Sequence, residues 1–302
     1  MHSSQLAACL RERLGEDPQA LEPLGGGCTA RAWGIRFADG RRLFAKTLAA
    51  AALPALEAEA DGLRALAAAA PAELAIPRPL LVTAAEDAAV LVLEWLPLAA
   101  GRGGEERWRQ LGGALAQLHR RSLAAGEGRF GWGHDNWIGA APQQNGWCPG
   151  WLEFFRERRL RPQLEWAARG GGPLRGAETL LELLPHWLEG HEPEPALVHG
   201  DLWSGNAALL ADGRSALFDP AVYRGDREVD LAMARLFGGF PAAFFAGYEA
   251  AWPLPAGHRE RVDLYNLYHL LNHANLFGGS YRQQAQGCLE GLLRRGGGGG
   301  TG

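Results

Sequence analysis

Four polar side chains share one short stretch of this sequence, LVHGDLWSGNAALLADGRSALFD at 197–219. Asp201 and Asn206 stand five positions apart, a spacing with which phosphotransfer enzymes place a base and a metal ligand on one side of a tight turn. His199 precedes the aspartate by two positions, and Asp219 stands where a second acidic group can hold Mg²⁺ against phosphates. We interpret the stretch as a phosphotransfer centre with His199, Asp201 and Asn206 as its catalytic candidates.

A glycine-rich segment follows an apolar run near the N-terminus. Glycine lets backbone N–H groups approach phosphate oxygens closely, and a hydroxyl can add a further donor. The segment lacks the lysine followed by serine or threonine of a Walker A loop, and a flexible turn between strands is the alternative interpretation. The candidate nucleotide contacts in this segment are Gly25, Gly26, Gly27, Cys28 and Thr29.

A lysine within an apolar strand is the next candidate. Lys46 lies in the predicted strand 42–48, where an isolated cation is either exposed or paired inside the protein. The alanine-rich helix predicted at 53–70 carries two glutamates, and a strand lysine paired with a helix glutamate can be fixed on nucleotide phosphates. We choose Glu59, because it shares a face with apolar side chains while Glu57 points about 200° away.

Strand and helix signals divide the chain into two lobes. The first third contains one long helix and five strand-like runs, whereas helical periodicity dominates the rest. The pattern predicts an α+β protein whose N-lobe is a five-stranded antiparallel sheet plus a helix and whose C-lobe is mainly helical. We place the N-lobe at 1–97, the C-lobe at 98–295 and a disordered glycine-rich tail at 296–302. The predicted strands cover 21–24, 32–37, 42–48, 80–83 and 90–96.

The last strand of the N-lobe runs into a proline and a glycine-rich stretch, as a hinge between lobes does. A hinge backbone can read adenine, which makes Glu94 and Leu96 candidates for nucleotide binding. For Glu94, an exposed charge at a strand end is the alternative.

The C-lobe contains one long stretch without strong periodicity, at 130–149. Its glycine, tryptophan and asparagine content predicts a lid over a polyol or amine substrate. A helix is predicted at 151–168, and its arginines are expected to face solvent. A second helix is predicted at 174–188. Glu228 and Asp230 open a later helix, where acidic side chains suit the helix dipole. The alternative for Asp230 is to accept N–H bonds from the segment 199–206, which we call the catalytic loop, and to support it.

Composition excludes several classes of function. The 302 residues, 47% of them apolar and 21% charged, suffice for two lobes with sizeable cores. A formal charge of −4 and a pI near 6.2 offer no attraction to nucleic acid or an anionic membrane. Neither a basic segment before the first apolar run nor an apolar stretch of membrane-spanning length is present, so we expect a cytoplasmic protein.

The four cysteines lie far apart without a C-x-x-C pair, which predicts neither a zinc site nor a disulfide framework and favours a reducing compartment. Cys28 lies in the glycine-rich segment, where backbone N–H groups and a nearby lysine can stabilise a thiolate. We therefore hypothesise a redox role for Cys28, with either a monomer or a dimer linked through Cys28. A small loop residue without redox function is the alternative.

These motifs resemble those of the fructosamine kinases, also called ketosamine kinases, within a protein-kinase-like group that includes aminoglycoside and choline kinases. The resemblance extends over almost the whole chain. Trp203 and two C-terminal motifs narrow it from the larger group to this family. The shared motifs are GGGCTA at 25–30, FAK ending at Lys46, FGW at 130–132, HGDLWSGN at 199–206, DPAVY from Asp219, REVDLAMARLFGGF at 227–240 and LYHLLNHANLFGG at 267–279.

The resemblance implies a protein-kinase-like fold and the use of ATP and Mg²⁺ to phosphorylate a sugar hydroxyl, O3 in fructosamines, on small ketosamines or glycated lysines. The phosphorylated adduct sheds its sugar, so the reaction implies repair of glycated amines. Asp201 is then the base, and Asn206 and Asp219 bind the metal. The candidate substrate contacts are Trp132, Trp203 and Glu228. A kinase of the aminoglycoside or choline type and a nucleotide-binding pseudokinase are the alternatives.

Overall fold

The structure is a computed structural model that describes residues 1–25, 30–85, 87–99, 101, 103–126 and 128–296. Its helices are α1 Ser3–Leu14, α2 Leu53–Ala69, α3 Glu105–Ser122, α4 Trp151–Phe154, α5 Arg161–Gly171, α6 Ala177–Trp187, α7 Glu228–Leu236, α8 Ala242–Ala251, α9 His258–Phe277 and α10 Ser280–Gly296. Its strands are β1 Ala20–Leu24, β2 Arg31–Arg36, β3 Arg42–Ala49, β4 Leu74–Ala75, β5 Pro79–Ala85, β6 Ala88–Glu94, β7 Asn136–Ile138, β8 Ala141–Gln143, β9 Ala196–Val198, β10 Ala207–Leu209, β11 Ser215–Leu217 and β12 Tyr223–Gly225.

Five strands near the N-terminus form one antiparallel sheet in the order β1-β2-β3-β6-β5. Successive side chains of a strand point to opposite faces. In β6, Val90 and Val92 join the core beside α1, whereas Leu91 and Leu93 join the core beside α2. Because both faces of the sheet are covered, β6 is apolar at every position before Glu94.

Helix α2 packs against the sheet and also against the second lobe. Its buried side chains, which include Leu56, Leu63 and Leu66, lie in one cluster with Leu111 and Leu115 of α3. The two lobes therefore share a hydrophobic core around α2. The helix also carries Glu59, so this packing fixes where that carboxylate can lie.

Helices α3 and α8 approach each other closely because each has a glycine where they meet. A Cβ on Gly112 would lie 1.9 Å from the carbonyl oxygen of Phe244. A Cβ on Gly247 would lie 2.0 Å from the carbonyl oxygen of Arg109. The packing of this helix pair therefore requires residues without a side chain at both positions.

The predicted α+β division is confirmed, with a five-stranded antiparallel sheet followed by mainly helical structure. The division into 1–97 and 98–295 stays a prediction, although β6 ends at Glu94 and α3 begins only at Glu105. Gly296 is the last residue of α10, and the rest of the predicted tail, 297–302, lies outside the described residues.

The helix predicted at 151–168 is interrupted. A π-helical segment, Phe155–Leu160, separates α4 from α5. Pro162 has no N–H to donate to the carbonyl of Arg158, and Nη1 of Arg159 donates to that oxygen instead, at 2.9 Å. Arg159 is fully buried, so its predicted exposure is wrong.

The second predicted helix, at 174–188, is shorter and spans Ala177–Trp187. The stretch at 130–149 contains a two-stranded hairpin of β7 and β8. Among the described residues, no helix combines the length and the apolar character needed to cross a membrane.

Candidate active site

The loop after β9 is held by one buried carboxylate. Asp230, on α7, accepts the N–H of His199 at 2.7 Å and the N–H of Gly200 at 2.9 Å. Gly200 has φ +80°, and a Cβ there would lie 2.1 Å from the carbonyl oxygen of Ala221. Both the conformation and the close approach require glycine at this position. The loop therefore leaves β9 on a fixed course that presents Asp201.

The hairpin of β10 and β11 brings the remaining polar groups back to Asp201. Nδ2 of Asn206 lies 3.2 Å from Oδ2 of Asp201 and 2.9 Å from its carbonyl oxygen. The backbone N–H of Phe218 donates to the carbonyl of Asn206 at 3.1 Å, which ties the next residue, Asp219, to the same loop. Asp219 has φ +59°, and no other non-glycine residue among those described has a positive φ. Such backbone geometry is costly and concentrates at functional sites.

Lys46 joins two acidic side chains across the lobes. Its Nζ lies 2.7 Å from Oε1 of Glu59 and 2.5 Å from Oδ1 of Asp219. Burial lowers the pKa of Lys46, but the carboxylates of Glu59 and Asp219 outweigh that effect and raise it above the ordinary value. The lysine is therefore charged, and it pairs with Glu59 rather than with its neighbour Glu57.

The carboxylate of Asp201 is partly buried, and Asn206 donates a hydrogen bond to it. Burial first, and then the nearby charge of Asp219, raise the pKa of Asp201 to about 7. The hydrogen bond from Asn206 acts in the opposite direction and is weaker. A carboxylate with this pKa is a much better proton acceptor than an ordinary aspartate.

His199 is placed differently from the catalytic role predicted for it. Its ring is fully buried, with Nε2 3.0 Å from the carbonyl of Phe218 and Nδ1 accepting the N–H of Asp201 at 3.3 Å. Burial lowers the pKa of His199. The ring thus bridges the backbone before Asp219 to the backbone of Asp201, and it supports the loop without facing a substrate.

Two of the three predicted substrate contacts are engaged within the protein. Glu228 is buried in a two-pronged ion pair with Arg261, at 2.7 and 2.9 Å, so it is not open to a substrate. Nε1 of Trp132 donates to Oδ2 of Asp61 on α2 at 3.0 Å. Trp203, by contrast, is 41% exposed on the catalytic loop.

The structure describes only part of the predicted nucleotide site. Gly25 follows β1, while Gly26, Gly27, Cys28 and Thr29 lie outside the described residues. Glu94 and Leu96 border a cavity of about 270 Å³ that is also lined by Leu74, Ile76 and Arg214. Lys46, Asp201 and Asp219 do not line this cavity, so it is separate from the catalytic cluster.

The stretch at 130–149 is braced by side-chain amides that were not predicted as functional. Asn136 donates to the carbonyl of Val222 at 2.8 Å, and Gln143 donates to the carbonyl of Ala221 at 3.0 Å. Asn145 donates to Oδ1 of Asn136 at 2.8 Å. The many side-chain amides in this loop are a sequence signal for such a role. Their partners could not be predicted, because the carbonyls of Ala221 and Val222 lie far away in the sequence. The hydrogen bonds hold the stretch against the segment after Asp219, which is not the arrangement of a free lid.

A further support of the catalytic loop lies behind Asp230. Nε2 of His119 lies 3.1 Å from Oδ2 of Asp230, and Nδ1 lies 2.8 Å from the hydroxyl of Tyr248. Burial raises the pKa of Asp230, but the hydrogen bonds from His119 and from the backbone outweigh it and lower the pKa below the usual value. The carboxylate is therefore ionised, as an acceptor of several N–H bonds must be.

Fold and site together are those of a protein-kinase-like phosphotransferase. A choline kinase from Streptococcus pneumoniae shares this fold at a TM-score of 0.62 and 15% identity, over 96% of this chain and 98% of the other. The model of the fructosamine kinase family matches residues 2–295. The chain belongs to the fructosamine kinase family and is an enzyme that transfers phosphate.

Individual relatives agree with this assignment. A protein named probable ketoamine kinase, from Synechocystis sp., is 46% identical over 277 residues, which cover 91% of each chain. A crystal structure from Haemophilus somnus, provisionally named fructosamine-3-kinase, has a TM-score of 0.85 at 28% identity and covers 95% of this chain and 96% of the other. The family implies ATP and a divalent metal as cofactors and small ketosamines as substrates.

Proposed function

We propose that this enzyme transfers the terminal phosphate of ATP to a sugar hydroxyl of a ketosamine, O3 where the sugar is fructose. The observation that carries the proposal is a chain of hydrogen bonds through the cluster. Lys46 contacts the carboxylate of Asp219, and the amide of Asn206 donates to the backbone carbonyl of Asp219 and to the carboxylate of Asp201. Phosphoryl transfer depends mainly on positioning and on neutralising charge, and these residue types supply both.

In this proposal Asp201 accepts a hydrogen bond from the attacking hydroxyl and takes its proton. Asn206 keeps the carboxylate in place through its amide nitrogen, which leaves the amide oxygen for a metal. Lys46, held by Glu59, binds the phosphates of the nucleotide. The donor set of Asp219 and Asn206 fits Mg²⁺, because hard oxygen ligands suit that ion. When bound, Mg²⁺ would neutralise charge on the phosphates.

The amine side of a ketosamine is a secondary ammonium, and aromatic faces attract such cations. Trp203 is exposed. A cluster of aromatic side chains lies nearby, on the loop after α7 and on helices α9 and α10. A Cβ on Gly239 would lie 2.2 Å from Oγ of Ser204, so the loop carrying Phe237 directly contacts the catalytic loop. Ring contacts with centroids 4.8 to 6.3 Å apart connect Phe237, His273, Phe277 and Tyr281. This surface supports a ketosamine, small or on a protein, as the acceptor.

A phosphate on the carbon next to the ketone is a good leaving group, so the phosphorylated adduct would eliminate inorganic phosphate. Water would then replace the amine, which releases the sugar skeleton as a dicarbonyl and returns the free amine. The enzyme would in this way repair glycated amines.

The test is ADP release with ATP and Mg²⁺ in the presence of ribulosamines, fructosamines and aminoglycosides, with ³¹P NMR of the product. We expect phosphorylated ketosamine and free amine to appear together. Phosphorylation of aminoglycosides but of neither ketosamine would replace this proposal by the antibiotic-kinase alternative. Nucleotide binding without transfer to any acceptor would favour the pseudokinase.

We propose separately that the enzyme is cytoplasmic and that Cys28 acts as its redox switch. Burial raises the pKa of the thiols of Cys9, Cys148 and Cys288, that of Cys288 to about 12, which makes all three poor nucleophiles. We therefore expect diamide to inhibit the parent and a variant lacking those three thiols, and reductant to restore both. Cys28→Ala should resist diamide and should form no linked dimer on a non-reducing gel. Equal inhibition of Cys28→Ala and the parent would exclude Cys28 as the switch.

A further inference from the structure

Trp132 lies between the two lobes. Its indole packs against both of the large hydrophobic clusters, the one around α2 and the one among the C-terminal helices. Its Nε1 donates to Oδ2 of Asp61 at 3.0 Å, and Nε2 of His134 lies 3.6 Å from the same oxygen. Asp61 follows Glu59 by two residues on α2. The loop at 130–145 is therefore attached to the helix that carries Glu59.

The other side of the same loop is attached to the segment after Asp219. The side chains of Asn136 and Gln143 donate to the carbonyls of Val222 and Ala221. Arg159 supports this arrangement from below, because its Nη2 donates to Oδ1 of Asn145 at 2.7 Å. One loop thus contacts the neighbours of both carboxylates that hold Lys46.

Helix α2 also rests directly on the segment after Asp219. A Cβ on Gly62 would lie 3.0 Å from Cγ2 of Val222 and 3.5 Å from Cγ of Pro220. The spacing between α2 and this segment is therefore close to the minimum. A shift of α2 along or away from the segment would change the distance between Glu59 and Asp219, and Lys46 contacts both.

We propose that Trp132 is a positioning residue. Its hydrogen bond to Asp61 holds α2 at the position where Glu59 and Asp219 both bind Lys46. The inference rests on the proposed function, since it concerns the lysine that binds the nucleotide. It differs from the substrate contact expected for Trp132, because its effect would fall on ATP rather than on the acceptor.

The test compares Trp132→Phe, Asp61→Leu and their double variant with the parent. Trp132→Phe removes the indole N–H, and Asp61→Leu removes its acceptor from a helix position that is 44% exposed, so folding should persist. Each should lower kcat/KM for ATP roughly three- to tenfold and weaken ATP binding in calorimetry, with KM for the ketosamine unchanged. The double variant should be no worse than the more impaired single one, because both lose the same interaction.

Two controls distinguish positioning from general damage. Asp61→Asn keeps an oxygen that can accept the indole N–H and should behave like the parent. Trp137→Phe, on β7 of the same loop, should leave the affinity for ATP unaltered. Melting temperatures of all variants report folding, and Asp61→Leu still decides the matter if Trp132→Phe does not fold.

Three outcomes would overturn the inference. The first is parent-like ATP kinetics in both single variants. The second is a rise in the ketosamine KM alone, which would return Trp132 to the acceptor site. The third is independent, multiplying effects in the double variant. Failure of the parent itself to bind ATP would instead remove the proposed function.

Discussion

Asp201 is the side chain on which the proposed chemistry depends. Its carboxylate is partly buried near Asp219, and its pKa is raised to about 7, which matches a base working near neutral pH. His119 and Asp230 fix the loop from behind, so the carboxylate does not need to be ordered when a substrate arrives. In the proposed mechanism, the base is thus held in place by groups that do not contact the substrate.

Replacing this carboxylate tests its role. Asp201→Asn keeps the shape of the side chain but cannot accept a proton, so we expect turnover to fall at least ~100-fold with the affinity for ATP nearly unchanged. Coupled ADP assays and calorimetry measure the two quantities. Asp212→Asn, at the exposed tip of the neighbouring hairpin, is the matched control. Near-normal turnover in Asp201→Asn would remove this residue from the mechanism.

For individual residues, sequence spacing predicted the polar side chains of the candidate site that lie close together in the chain. The five-residue interval of Asp201 and Asn206 and the helical face of Glu59 both placed side chains that meet in the structure. The supporting contacts were not predictable in the same way. Arg159 was predicted to lie on a solvated face, because no local sequence signal shows that a π-helical segment turns it into the core.

Among the elements, the pair α3 and α8 shows how glycine sets a helix packing. The two backbones are so close that not even one methyl group would fit between them at these positions. Helical periodicity predicted a mainly helical C-lobe. It could not identify α8 as the partner of α3, because their close approach depends on two glycines more than a hundred residues apart.

Adjacent glycines of α3 provide a sharp comparison. Gly112→Ala places a methyl group against the backbone of α8, so we expect the free energy of unfolding to fall by about 1–3 kcal/mol or more. Gly113→Ala meets only the carbonyl oxygen of Gly247, at 3.6 Å, and alanine is the better helix former by about 1 kcal/mol. Urea unfolding should therefore show a lower free energy of unfolding than the parent for Gly112→Ala and a higher one for Gly113→Ala. Equal stability of the two would contradict the packing described for α3 and α8.

On the scale of the whole molecule, the lobes are joined by a continuous core around α2 rather than by a hinge alone. Strand β4, from the N-terminal part of the chain, pairs with β11 of the catalytic hairpin. The order of the five strands and the long helix of the N-lobe was predicted from periodicity and turn residues, whereas β4, β7 and β8 were not. The shared core was not, because apolar positions on α2 do not reveal which surface will cover them.

Buried histidines make the stability of this molecule depend on pH. Burial lowers the pKa of His269 to about 3, and Nδ1 of this side chain has no hydrogen-bond partner among the described residues. In the unfolded chain the group titrates near 6.5, so below that pH the unfolded state binds the proton and the native state does not. The stability that the neutral His269 side chain contributes is therefore complete above about pH 7 and falls as the pH decreases towards 3.

We expect His269 alone to cost about 2 kcal/mol at pH 5. Burial lowers the pKa of His199 and His273 as well, and these groups act with the same sign. Urea unfolding at pH 7.5 and pH 5 should show a smaller loss for His269→Gln than for the parent. The exposed His186→Gln is the comparison, and an identical loss in all three proteins would argue against this assignment.

The braced loop at 130–149 has a consequence for proteolysis. Exposed loops are preferred sites of proteolysis. The aromatic residues of this one that chymotrypsin can recognise are Phe130, Trp132, Trp137 and Trp147. A protease needs an extended strand of chain, which the native hydrogen bonds to the segment after Asp219 do not release. We expect native protein to resist nicking here, and Arg159→Met, which loosens the loop from below, to be cut first at these residues. Rapid cleavage of the parent within the loop would show that the amide bonds open readily in solution.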